Sequence, residues 1–248
     1  MGTDQPPLCA SGRPFFMARL PRLGVAGWPH LVVQRVHDGQ LLARDDADRR
    51  ALLVALREAA RLHGLAIHAY VLCPDHLHLL ATPAQDDSLS LTMQALGRRY
   101  VAAYNRRHGR QGGLWSGRFR ATVLDPARFL LPAMRFVEQH AVRAGLVQRE
   151  QDDVWSSAAH HLGLRTDPLV SDHALFWALG NTPFEREAAW RAQLAEGLGA
   201  DVQHQFSEAM NKGWALTDDQ GADTLAQLAG RPVRPRPRGR PRKTPVAP

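Results

Sequence analysis

Two histidines spaced two residues apart are the first side chains that could do chemistry. His76 and His78 lie in the largely apolar stretch IHAYVLCPDHLHLLATP, which predicts two strands joined by a turn at Pro74-Asp75. Because successive side chains of a strand point to opposite faces, both imidazoles leave the same face of the sheet. Two neighbouring imidazoles make half of a metal site. The spacing alone leaves open the alternative, a pair of half-exposed strand histidines.

An arginine-rich stretch follows the histidines. Residues 92–143 hold ten arginines against Asp125 and Glu138, and such a cationic surface suits the phosphates of nucleic acid. We expect seven cations and one aromatic residue of this stretch to contact DNA: Arg98, Arg99, Arg106, Arg107, Arg110, Trp115, Arg118 and Arg120. Tyr100 and Tyr104 lie in the same stretch, but their spacing predicts residues of a helix core.

A second cationic segment lies at the C-terminal end. Residues 230–248 hold seven basic side chains and no acidic one. Arg238 and Arg240 flank Gly239 as in an AT-hook, whose arginines enter the narrow minor groove of A·T-rich DNA. The alternative is a tail that binds phosphate without sequence preference. Its alternation of arginine and proline predicts disorder in the free protein.

The elements that position these residues follow the order strand, helix, strand, strand, helix, strand, helix. Strands are predicted at about 28–36, 65–73, 76–82 and 114–124. One helix begins after an Asp45 or Asp46 cap and ends at Gly64, a second begins after Ser88 or Ser90, and a third begins at Asp125-Pro126 and runs to His140. This order predicts an α+β fold, a ferredoxin-like (RRM-like) palm with an antiparallel sheet and helices on one face.

Composition divides the 248-residue chain into four segments. We expect a flexible arm at 1–20, the palm at 21–160, an acidic helical extension at 161–229, and a disordered basic tail at 230–248. Residues 144–229 carry a net charge of −8, which indicates a solvated helical face or a cover for the basic palm. With two cysteines, no apolar run long enough for a membrane span and no secretory leader pattern, we expect a cytoplasmic, nucleoid-associated protein that contacts no membrane.

Three collinear runs resemble the REP-associated tyrosine transposases, a family of the HUH single-strand DNA endonucleases. They are IHAYVLCPDHLHLLATP, RRYVAAYNRRHGRQGGLWSGRFRA and RFVEQHAVRAGLV, followed by VWSS, and the resemblance covers about residues 18–160. It implies a single-stranded DNA hairpin as partner and a Mg²⁺ or Mn²⁺ ion held by His76 and His78. It also implies a tyrosine nucleophile that forms a covalent link to DNA, in a monomer or a homodimer.

The chain departs from that pattern at the nucleophile. Phe136 takes the tyrosine's aligned place and has no hydroxyl to attack phosphate. His140 aligns where relatives can offer an amide as third metal ligand, and a third imidazole would favour softer ions such as Mn²⁺, Ni²⁺ or Zn²⁺. The alternative for His140 is a solvated residue at a helix end. Tyr104 could substitute for the missing tyrosine only if its helix faced the metal.

These observations leave three functions open. The first is a transposase-like protein that recognises hairpin DNA, with cleavage and joining implied by the resemblance. The second is a catalytically inactive protein that retains only DNA recognition. The third is a metal-dependent phosphodiesterase that uses water as nucleophile. The basic tail adds A·T-rich duplex DNA as a possible second partner.

Overall fold

A four-stranded antiparallel sheet forms the centre of the molecule in a computed structural model, which describes residues 22–235. Its strands are β1 (His30–Arg35), β2 (Leu65–Leu72), β3 (His76–Pro83) and β4 (Arg120–Val123). They are arranged in the order β2-β3-β1-β4. With two crossover helices this is the predicted ferredoxin-like arrangement. The fourth strand is shorter than predicted, since only an isolated bridge between Val36 and Trp115 precedes it.

Two crossover helices cover one face of the sheet. Helix α1 (Asp46–His63) begins as predicted, with the Asp45 side chain accepting from the Asp48 backbone N–H, and it ends at Gly64, whose φ is 66°. Helix α2 (Ser88–His108) has Asp87 rather than Ser88 or Ser90 at its N-cap, so the predicted serine cap is wrong. The Ser88 hydroxyl instead accepts from the Gln85 backbone N–H.

The opposite face is covered by α3 (Pro126–Glu138) and by the C-terminal extension. Helices therefore lie on both faces, although the two crossover helices share one face as predicted. Along β3, Leu77 and Leu79 pack toward α1 and α2, while Leu80 packs toward α3. This alternation places His76 and His78 on the α3 side.

Helix α3 begins as predicted, with the Asp125 side chain accepting from the Ala127 backbone N–H and Pro126 in the first turn. It contains Pro132 and ends at Glu138, two residues earlier than predicted. Gln139 separates it from the short helix α4 (His140–Arg143). His140 thus opens a new helical turn instead of closing α3.

The C-terminal extension shares a core with the palm. It comprises α5 (Ala158–His161), α6 (Ala174–Trp177), α7 (Pro183–Glu196), α8 (Ala200–Lys212) and α9 (Asp219–Ala229). Trp190 and Phe206 are fully buried in the cluster that contains the α3 side chains. The boundary predicted between residues 160 and 161 falls inside α5, so it does not separate two packed units.

The predicted start of the disordered tail, residue 230, lies too early in the chain. Val233 is 2% exposed, and its carbonyl accepts from the Ala215 backbone N–H. Residues 230–235 therefore pack against the extension, whereas Arg238 and Arg240 lie outside the described residues. Within residues 22–235 no helix is both long enough and apolar enough to cross a membrane.

Candidate functional site

Three imidazoles meet on the α3 side of the sheet. His76 and His78 come from β3, and His140 comes from the first turn of α4. The three ring centroids are each 4.8 Å from the other two, and the Nε2 atoms of His76 and His140 lie 3.0 Å apart. His76 and His78 are 6% and 3% exposed. Neither half-exposed strand histidines nor a solvated His140 describes this arrangement.

Asp75 fixes the orientation of His76. Its Oδ1 lies 2.6 Å from His76 Nδ1, which donates the hydrogen bond and leaves the Nε2 lone pair toward His140. The other oxygen of Asp75 lies 3.3 Å from the Arg35 guanidinium. A carboxylate behind an imidazole in this way sets its tautomer and raises its basicity as a metal ligand.

Burial keeps the three imidazoles neutral. It lowers the pKa of His76, although Asp75 opposes the shift. Burial, reinforced by the neighbouring His76, lowers the pKa of His140 to about 3, and burial also lowers the pKa of His78. Lone pairs are therefore available at neutral pH. The Nδ1 atoms of His78 and His140 are buried without a hydrogen-bond partner.

Cys73 joins this cluster, and the sequence reasoning missed it. One ligand atom from each of Cys73, His76 and His140 can be chosen so that all three lie within 4.8 Å of one another. The signal was present as the spacing Cys73-Pro74-Asp75-His76, a C-x-x-H pattern with metal-ligand separation. Burial raises the pKa of the Cys73 thiol to about 12, so it is protonated in the free protein.

Phe136 closes the histidine cluster on its helix side. Its ring lies 5.8 Å from the His78 ring and 5.3 Å from the Phe206 ring, and it is 4% exposed. The Arg143 guanidinium lies 4.7 Å from the ring centroid. The position expected for a nucleophile is thus beside the histidines, and an apolar ring occupies it.

All three tyrosines lie on the other side of the sheet. Tyr70, Tyr100 and Tyr104 belong to the core between the sheet and helices α1 and α2. The Tyr104 hydroxyl donates to the Leu41 carbonyl at 3.1 Å, and Tyr104 is 3% exposed. Substitution by Tyr104 for the missing nucleophile is therefore wrong, because the sheet separates its hydroxyl from the histidines.

A basic cleft lies at the β4 edge of the sheet, beside the histidine cluster. It has a volume of about 560 Å³. Its cationic lining combines two predicted residues with four missed ones: Arg22, Arg35, Arg118, Arg120, Lys212 and Arg231. Register connects it to the histidines, since Val33 pairs with His78 on one side and with Arg120 on the other. The missed residues are spread along the whole chain, so no local motif marks them.

The predicted arginines on α2 and just after it lie away from this cleft. Arg107 forms salt bridges to Asp45 at 2.6 Å and to the buried Asp48 at 2.5 Å. Arg99 pairs with Glu58, and Arg110 donates to Gln40 at 2.7 Å. These side chains are engaged within the protein.

The remaining predicted contacts on the α2 side differ in exposure. Arg98 and Arg106 are exposed to solvent. Trp115 is half-buried, and its ring lies 6.3 Å from the Tyr100 ring. The predicted DNA-contacting set is therefore divided between two surfaces of the molecule, and only Arg118 and Arg120 line the basic cleft.

A buried polar cluster holds α3 in place. Glu138 is fully buried and accepts from Ser157 Oγ at 2.5 Å, His161 Nδ1 at 2.6 Å and Trp190 Nε1 at 2.9 Å. Because Glu138 lies between Phe136 and His140 in the chain, these bonds also fix the segment that carries both.

Comparisons with known proteins give four findings. Residues 28–139 match the family model described as Transposase IS200 like. The fold resembles the structure of a REP-associated tyrosine transposase bound to a REP hairpin, at 18% identity and a TM-score of 0.52, over 63% of this chain and 92% of that one. A putative transposase from Deinococcus radiodurans R1 matches at 26% identity and a TM-score of 0.31, over 50% of this chain and 93% of that one. No curated protein matches.

Proposed function

We propose that this protein, whose residues 28–139 match the IS200-like transposase family model, binds single-stranded hairpin DNA in the basic cleft, next to a divalent ion held by the histidines. The observation that carries the proposal is the position of the cleft. The cations that converge beside His78 come from four parts of the chain. These are the N-terminal segment, β1, the 116–119 loop and the extension. The choice of partner is supported by the similar structure of a transposase bound to a REP hairpin.

The shape of the cleft favours unpaired nucleotides. Its volume of about 560 Å³ is that of a small-molecule pocket, which suits individual unpaired nucleotides better than a whole duplex. Trp214 lines the cleft with the cations and offers a face on which a base can stack. Arg118 and Lys212 approach from the palm and from the extension, so a strand in the cleft would contact both.

The histidines fit a divalent ion. Adjacent ligands of an octahedral ion at about 2.1 Å lie about 3.0 Å apart, and the Nε2 atoms of His76 and His140 are 3.0 Å apart. Both imidazoles are neutral, and His78 adds a buried, unpartnered Nδ1. We propose His76, His78 and His140 as ligands. The ion would polarise a phosphate held in the adjoining cleft.

Recognition without a tyrosine link is the function that we favour. Phe136 lies against His78 and carries no hydroxyl, while the tyrosines are all on the opposite face. A covalent cleavage and joining reaction therefore lacks its nucleophile. A metal-activated water remains a route to simple hydrolysis. Such a DNA-binding protein would act in the cytoplasm, on the nucleoid.

Salt-dependent binding to a single-stranded hairpin oligonucleotide tests the proposal. Each phosphate contact to single-stranded DNA contributes about 0.7 to the slope of log K against log salt. We expect Arg118→Gln with Arg120→Gln to reduce the slope by about 1.4, twice that value. The matched control is Arg98→Gln with Arg106→Gln, two exposed arginines of α2. A larger effect of the control pair would move the interface to α2 and overturn the proposal.

Incubating the protein with the same hairpin oligonucleotide also separates the catalytic alternatives. With Mn²⁺ present, we expect a bound hairpin and no covalent protein–DNA adduct. An adduct would show that another residue replaces Phe136 as nucleophile. Cleaved DNA without an adduct would establish hydrolysis by water.

A further inference from the structure

We propose that Cys73 is a metal ligand and that, together with His76 and His140, it makes this a thiolate–imidazole site selective for a borderline-soft ion such as Zn²⁺ over Mg²⁺. The inference rests on the metal site of the proposed function and names the class of ion that this chain would take. Cys73 directly follows the last residue of β2, on the turn that leads into His76.

The positions of the donor atoms support this assignment. One atom from each of Cys73, His76 and His140 lies within 4.8 Å of the others, and the two Nε2 atoms are 3.0 Å apart. In a tetrahedral zinc site, with Zn–S about 2.3 Å and Zn–N about 2.0–2.1 Å, neighbouring S and N ligands are about 3.6 Å apart. A bound ion would draw donor atoms that lie within 4.8 Å of one another into this spacing.

The backbone holds the thiol and the imidazole together. The Cys73 N–H donates to the His76 carbonyl at 2.8 Å across the Pro74-Asp75 turn, so the two residues cannot separate without breaking the hairpin. Cys73 is 5% exposed and is not in a disulfide. Because burial protects the sulfur from oxidation, the reduced thiol remains able to bind a metal ion.

The surroundings match a zinc site in two further respects. Asp75 accepts from His76 Nδ1 at 2.6 Å, the carboxylate–histidine arrangement found behind zinc ligands. His78, 97% buried, presents an unpartnered Nδ1, and its ring lies 4.8 Å from both other rings. It therefore packs directly against the two imidazoles of the proposed site.

The donor set decides the ion. Thiolate and imidazole are soft and intermediate donors, which bind Zn²⁺ and Co²⁺ far better than Mg²⁺, an ion that prefers oxygen ligands and retains its water. An ion bound at the sulfur takes the thiol as its anion. A site formed by His76 and His140 alone would also accept Mn²⁺. The thiolate of Cys73 is therefore the ligand that makes the site selective for Zn²⁺.

Absorption spectroscopy of the Co²⁺-substituted protein reports the sulfur directly. We expect Co²⁺ to produce a near-ultraviolet thiolate charge-transfer band and strong visible absorption from tetrahedral coordination. Cys73→Ser should abolish the charge-transfer band and weaken Zn²⁺ binding, measured by calorimetry, at least tenfold. Cys73→Ala provides a second substitution if the serine variant does not fold.

Two matched controls locate the ion. Cys9→Ser removes the only other cysteine of the chain, and His160→Asn alters the separate group formed by His160, His161 and Asp172. Both should keep the band. Persistence of the band in folded Cys73 variants, absence of the band in the unaltered protein, or equal affinity for Mg²⁺ and Zn²⁺ would each overturn the assignment. Hairpin binding by Cys73→Ser, measured separately, shows whether the proposed DNA recognition stands without it.

Discussion

Glu138 Oε1 and His161 Nδ1 lie 2.6 Å apart, and both side chains are completely shielded from solvent. This contact joins α3 of the palm to α5 of the extension. Asp172 Oδ1 lies 3.4 Å from the other nitrogen of His161, so the imidazolium sits between two carboxylates. The pair therefore anchors the helix that carries Phe136, and the histidine site depends on the extension being docked.

Removing the charge of Glu138 should destabilise the fold. In Glu138→Gln the buried His161 loses its carboxylate partner, and breaking a buried ion pair from one side costs about 3–5 kcal/mol. Urea unfolding measures the loss. Glu196→Gln is the control, because Glu196 is 75% exposed in its pairing with Arg135 and should change stability by at most about 1 kcal/mol. Equal effects in the two variants would contradict the assigned role of Glu138.

Stability should fall in mildly alkaline solution. Burial disfavours the His161 imidazolium, but the Glu138 charge and Asp172 outweigh it and raise the pKa of His161 to about 9. Its contribution is complete below the unfolded value of about 6.5 and is lost as the pH rises through 9, a decrease of about 3 kcal/mol. Urea unfolding between pH 6 and pH 9.5 measures this slope. His161→Gln should remove it, and an unchanged slope would assign the pH dependence to another group.

Arg107 should matter for stability and not for DNA binding. It joins the C-terminal turn of α2 to Asp45 and Asp48 at the start of α1. We expect Arg107→Gln to lower the midpoint of thermal unfolding and to leave the salt slope of hairpin binding unchanged. Arg106→Gln, one residue away on an exposed position, is the matched control for folding. A reduced salt slope in Arg107→Gln alone would restore the role that the sequence predicted for it.

Local signals predicted the fold well because they act between near neighbours. Asp45 and Gly64 define the ends of α1 through their own backbone groups, and the two-residue spacing of His76 and His78 fixes their shared face. The resemblance to transposases, read from three sequence runs, is confirmed by the family match and the shared fold.

Pairings between distant segments escaped prediction. Arg107 meets carboxylates 62 and 59 positions earlier in the chain, so its apparent availability for DNA could not be judged from composition. The cleft likewise depends on Arg22 and Lys212, at opposite ends of the described chain, being brought to one edge of the sheet. Cys73 was not predicted as a ligand, because His140 lies far from it in the sequence.

The basic tail can be tested without disturbing the packed core. Because Val233 is buried, deletion should begin after residue 235 and remove residues 236–248, which carry five basic side chains. On A·T-rich duplex DNA each lost phosphate contact lowers the salt slope by about 0.9. We expect the deletion to lower the salt slope of duplex binding and to change the salt slope of hairpin binding little. An unchanged duplex slope would refute a DNA-binding role for Arg238 and Arg240.

Restoring a hydroxyl at Phe136 tests the site geometry most directly. Phe136→Tyr keeps the aromatic packing against His78 and Phe206 and adds one oxygen beside the proposed ion. If the cleft presents DNA to that position, the variant should form a covalent adduct with the hairpin in the presence of a divalent ion, detected as a mass shift on denaturing gels. Phe129→Tyr is the control, since Phe129 also packs on Phe206 but does not contact the histidines.

The outcome separates two explanations for the absence of covalent chemistry that we propose. An adduct in Phe136→Tyr alone would show that loss of the tyrosine is the sole defect, because the ion, the cleft and the supporting helix would all be competent. Failure of the folded variant to form an adduct, while it still binds the hairpin and the ion, would mean that the histidine cluster no longer aligns a phosphate for attack. In that case the site has become a structural or recognition element, and the alignment of Phe136 with a nucleophile carries no catalytic meaning.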